Sequence, residues 1–155
     1  MRAFALALTL LAAGAVLAAD SKTADRANRY DHEHLQGTWK VKTVHGIQDQ
    51  KVKEEFQEMR LTFKGDTVTA HWGDHTAEAT YKIDATANPR TVDFTVTKGP
   101  EKVEGRLFRA IYLLEGKTLR LAWRKAGEDR PTEFVRAGQP DVHEIFLERT
   151  GRNGK

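Results

Sequence analysis

Residues 61 to 83 read LTFKGDTVTAHWGDHTAEATYKI, three alternating apolar and polar runs separated by two Gly-Asp pairs. Such a pair between alternating runs closes a two-residue hairpin turn, because glycine takes the positive φ that the turn needs. Once the turn is set, so is the register, since a slip of one residue would send every side chain to the opposite face. Gly65-Asp66 therefore pairs Phe63 with Val68 and Leu61 with Ala70. Gly73-Asp74 pairs Trp72 with His75, Ala70 with Ala77 and Val68 with Ala79, and the same face continues through Tyr81 and Ile83. Three consecutive strands thus share one apolar side.

The rest of the chain extends the pattern. In FRAIYLLEGKTLRLAW a turn at either Glu115-Gly116 or Gly116-Lys117 puts Phe108, Ala110, Tyr112 and Leu114 on the face of Leu119, Leu121 and Trp123. RTVDFTVTKG contributes Val92, Phe94 and Val96, and HEIFLERT puts Ile145, Leu147 and Arg149 on one side with Phe146 on the other. Residues 51 to 59, KVKEEFQEM, place Val52, Phe56 and Met59 at helical spacing, which predicts one short amphipathic helix. Eight or nine short strands joined by tight turns form an antiparallel meander, and closing it removes the exposed edges. The expected fold is all-β: a closed up-and-down barrel of about eight strands with one short helix. At that size the interior is filled by side chains or holds one small ligand.

The N-terminus stands apart. Arg2, the apolar run Phe4 to Leu17 and the small residues Ala18 and Ala19 describe a secretory signal peptide over residues 1–19, too short for a membrane span of roughly 20 residues. Export to the periplasm or beyond, with no membrane insertion after cleavage, is the expectation. Residues 20–33, DSKTADRANRYDHE, lack a clear apolar period and read as a flexible or weakly helical polar leader. The barrel domain is assigned to 34–150, with a tail at 151–155. No cysteine is present, so packing rather than disulfides must hold this exported chain together. Its 25 Lys and Arg are interspersed with 22 Asp and Glu, which argues against nucleic acid as a partner.

The first strand opens with HLQGTWKVKTVHG, where Gly37-Thr38-Trp39 resembles the Gly-x-Trp start of lipocalins and related barrels. The ordered segments LQGTWKVKTVHG, MRLTFKGDTVTA, ATYKIDATANPRTVDFTVTKGP, AIYLLEGKTLRLAW, RPTEF and IFLERT resemble, more specifically, an uncharacterised lipocalin-like domain abundant in planctomycete proteins. The resemblance covers residues 34 to 150. It implies that Trp39 plugs one end of the barrel under a basic residue of the last strand, a place that Arg149 matches. Gly37, Trp39 and Arg149 are therefore the expected barrel closure. Fold is what the resemblance implies; function has to be argued from the site.

Catalysis has little to work with. Ser21 is the only serine and lies in the leader, and Glu54 and Glu55 fall on the exposed face of the helix. His32 and His34 flank Glu33 in the leader, while His71 and His75 point to opposite faces of their hairpin, so neither pair predicts a built metal site. No enzyme activity, cofactor or metal is expected. A ligand would instead enter opposite Trp39 and meet a wall thinned by alanines, with Ala70, Trp72, His75, Ala77, Tyr81, Phe94, Ala110, Tyr112 and Trp123 as the candidate ligand-binding residues. The alternative is a filled barrel acting as a structural or interaction module of the cell envelope. The outer face of Leu107, Ile111 and Leu113 is the candidate surface for a protein partner or a second copy.

Overall fold

The computed structural model describes residues 13–135 and 141–152, with side chains from Asp20 onward. The first twelve residues of the expected signal peptide, and residues 153–155 of the expected tail, lie outside this range. Eight antiparallel strands close on themselves in chain order: β1 (Gly37–His45), β2 (Arg60–Lys64), β3 (Thr67–Trp72), β4 (His75–Asp84), β5 (Arg90–Lys98), β6 (Leu107–Glu115), β7 (Thr118–Trp123) and β8 (His143–Gly151). β8 returns to β1, placing Trp39 opposite Arg149 and Val41 opposite Leu147.

The register follows from the turns. Phe63 faces Val68, Leu61 faces Ala70, Trp72 faces His75 and Val68 faces Ala79, as the Gly-Asp turns dictate. Glu115 faces Thr118, which resolves the open choice in favour of a Gly116-Lys117 turn. The inward residues make one apolar cluster that includes Trp39, Phe63, Val92, Tyr112, Leu119 and Leu147, each at most 2% exposed.

Two helices accompany the barrel where one was expected. The short one, α2 (Gln50–Gln57), is capped by Asp49, whose carboxylate accepts from the Val52 N–H. It stops before Met59, which is buried and whose carbonyl accepts from the Val41 N–H at 3.1 Å. The longer one, α1 (Ala13–Leu35), contains the segment read as a flexible or weakly helical leader. Its inner stripe runs through Ala24, Ala27, Asn28, Asp31 and Leu35. The polar members of that stripe are the ones that bond the barrel, so an apolar period could not reveal it.

A strap of chain after β7 covers the outer wall. Phe134 and Val135 pack on Ile111, Ala122 and Val142, and Ile111 is 1% exposed. The outer face proposed for a partner is therefore covered at Ile111 by the chain itself, and the Leu107 carbonyl accepts from the Gly127 N–H. Leu113 alone of the three remains exposed. Glu144, fully buried, bonds Arg120 at 2.6 Å and the Val135 N–H at 2.7 Å, which satisfies a charge that the wall would otherwise strand.

Candidate functional site

The two ends of the barrel differ. At the Trp39 end, α1 lies across the opening as a lid. The Trp39 indole donates to the Leu35 carbonyl at 2.8 Å, and the Arg149 guanidinium lies 4.2 Å from the centre of the Trp39 ring. Arg149 also donates to the carbonyls of His34 and Gln36, groups that the end of a helix leaves without helical partners. Gln36 holds the β2–β3 turn, accepting from the Gly65 N–H at 2.8 Å and donating to the Gly65 carbonyl and the Tyr81 hydroxyl. Asp31 enters the barrel end, where it is 2% exposed, accepts from the Tyr112 hydroxyl at 2.5 Å and pairs with Arg90 at 3.0 Å.

This arrangement separates the candidate ligand-binding residues. Tyr81 and Tyr112 belong to the sealed end and spend their hydroxyls on Gly65 and Asp31. Burial raises both phenol pKa values, Tyr81 to about 12, and Tyr112 further, with the Asp31 hydrogen bond adding to burial. Ala110 is buried too, and its carbonyl accepts from Arg130 at 2.8 Å. None of these three is free to meet a ligand.

At the opposite end the inward side chains are incompletely covered. Ala70, Trp72, Phe94, Phe108 and Trp123 are partly buried against the core, Ala77 is half-buried, and His75 is exposed on the rim with its ring 5.6 Å from that of Trp72. Phe108, which the sequence reading placed on the inner face without naming it for binding, joins the wall directly opposite Phe94. His143 likewise lies 5.9 Å from the Trp123 ring and escaped notice because it begins a strand rather than flanking a turn. Phe56 of α2 tilts over Trp123 at 5.8 Å, so the helix covers part of this mouth. Ala77 abuts Gly99 of the β5–β6 loop, where Val103 also packs, and pairs with Ala70 across β3.

The histidines are dispersed. His32 meets Asp66 at 3.0 Å, His34 bonds the Tyr30 carbonyl at 2.7 Å, and His71 bonds Thr76 at 3.1 Å. Among the described residues no group of three or more His, Asp or Glu is placed to hold a metal ion, and no helix is long and apolar enough to cross a membrane.

Comparison of the chain with models of known families, with curated proteins and with solved structures finds no match.

Proposed function

We propose that this is an exported member of the lipocalin-like domains it resembles, carrying a small apolar or aromatic ligand in the barrel mouth without catalysing a reaction. One observation carries the reading: one end of the barrel is sealed by α1, Trp39 and Arg149, while aromatic side chains at the other end point inward and stay partly exposed. A concave aromatic wall with a few polar groups on its rim is what a small apolar ligand requires. His75 and His143 sit beside Trp72 and Trp123 and would orient a ligand's polar atom. Export is supported by Arg2 and the apolar run that follows it.

Binding of a neutral hydrophobic dye such as Nile red tests the reading. Wild-type protein should bind it, and Ala70→Phe should abolish binding while leaving the melting temperature within a few degrees. Ala70 is the better position than Ala77, where a phenyl ring would meet Gly99. If wild-type protein takes up no dye, the mouth is filled by its own side chains and the protein is the structural module instead. In that case Ala70→Phe overpacks the wall and costs about 1–3 kcal/mol.

A further inference from the structure

On the outside of the barrel, below the end of α2, a groove of about 490 Å³ is lined by Lys40, Gln57, Glu58, Arg60, His71 and Trp72. That volume lies in the range of small-molecule sites, roughly 300–1,000 Å³. Lys40 stands directly opposite Arg60, and Arg60 directly opposite His71, so three basic side chains form a row across β1, β2 and β3. Like charges directly opposite one another weaken a sheet. The neighbouring acids do not relieve this: Glu148, opposite Lys40 on β8, is bound to Lys42 at 3.2 Å. Among the described residues, neither Lys40 nor Arg60 has a carboxylate within 4.0 Å.

We propose that this groove binds a small organic carboxylate, its anionic group between Lys40 and Arg60 and its planar apolar part toward Trp72. The planar fork of an arginine matches a carboxylate, and a lysine beside it adds a second charge-assisted bond. Glu58 and the negative end of α2 border the same groove, which disfavours a multiply charged anion and selects a singly charged one. The groove also exceeds what a bare inorganic ion would fill. It is distinct from the barrel mouth, because Lys40, Arg60 and His71 lie on the solvent face of their strands. Trp72 borders both, so the experiment reads each separately.

Titration of the whole chain, its barrel mouth saturated with Nile red, with 2-naphthoate and with uncharged 2-naphthylmethanol tests the proposal. The carboxylate should bind at least about tenfold more tightly than the alcohol, and added salt should weaken it. The double substitution Lys40→Gln and Arg60→Gln should reduce naphthoate affinity about tenfold or more, with Nile red binding unchanged. Its melting temperature should hold or rise, since it removes a repulsive pair. Lys40→Gln alone should lie between. Equal binding of the alcohol, unchanged naphthoate affinity in a folded double variant, or displacement of naphthoate by an equal concentration of inorganic phosphate would overturn the assignment.

Discussion

Arg149 joins three parts of the chain at once. Its guanidinium covers the Trp39 indole of β1 and donates to the carbonyls of His34 in the last turn of α1 and Gln36 just past it, while its own backbone N–H reaches the Lys117 carbonyl at 2.9 Å. Arg149→Ala removes a cation–π contact of about 0.5–2 kcal/mol and leaves two helix-end carbonyls unpaired, so a loss on the order of 2–3 kcal/mol is expected. Arg149→Lys keeps the charge but not the fork and should recover at most half of it. Urea unfolding followed by tryptophan emission measures both, and an unchanged midpoint for the alanine variant would contradict the sealed end. Gly37 is required beside this pair: at φ 118° a side chain is strained, and a Cβ there would run into the Gly151 carbonyl oxygen. The Gly-x-Trp triplet and a basic residue on the last strand were legible in the sequence. That Arg149 spends its hydrogen bonds on α1 was not, because the partners are backbone carbonyls more than a hundred residues away.

Of the elements, α1 departs furthest from its sequence reading. Its contacts are polar: Asn28 accepts from the Ala85 N–H at 2.7 Å, and Asp31 serves Tyr112 and Arg90. Asp31→Ala would strand the Tyr112 hydroxyl inside the barrel end, at about 1–3 kcal/mol. The Arg90 side chain is 41% exposed and can turn to water, so the full penalty of a broken buried ion pair is not expected. Thermal melts of Asp31→Ala and Asp31→Asn separate the two causes, since asparagine can still accept from Tyr112 and should retain most of the stability. Equal losses for both would mean that charge rather than the hydrogen bond matters. By contrast, α2 was visible in the sequence because Phe56 is apolar and packs against the core, although the helix ends before Met59, which is buried beyond it, and Val52 of the expected stripe is exposed.

Across the whole molecule, stability should fall at high pH for a reason located at the sealed end. The pKa of Tyr81 is raised above its ordinary 10.0 to about 12, chiefly by burial, and that of Tyr112 is raised by burial and by Asp31. A raised folded value means that the neutral phenol suits the fold. The stability it contributes is complete below pH 10 and is lost as the pH climbs toward 12. Melting temperature should therefore drop across that window, and drop less steeply in a Tyr81→Phe, Tyr112→Phe double variant. Parallel declines would assign the effect to lysines instead. The register of the β2–β3 and β3–β4 hairpins was determined by the sequence alone, because glycine turns and a period of two act between near neighbours and leave each one workable pairing, whereas the β6–β7 turn and the shifted β4–β5 and β8–β1 pairings were decided by the structure. Which inward residues are sealed and which stay partly open was decided only by tertiary structure. Ala70 and Ala110, or Trp72 and Tyr112, look alike along their strands, and what separates them is where α1, α2 and the strap come to rest. Those placements depend on polar bonds such as Asp31 to Tyr112 and Arg149 to His34, which join residues far apart in the chain and leave no local periodicity.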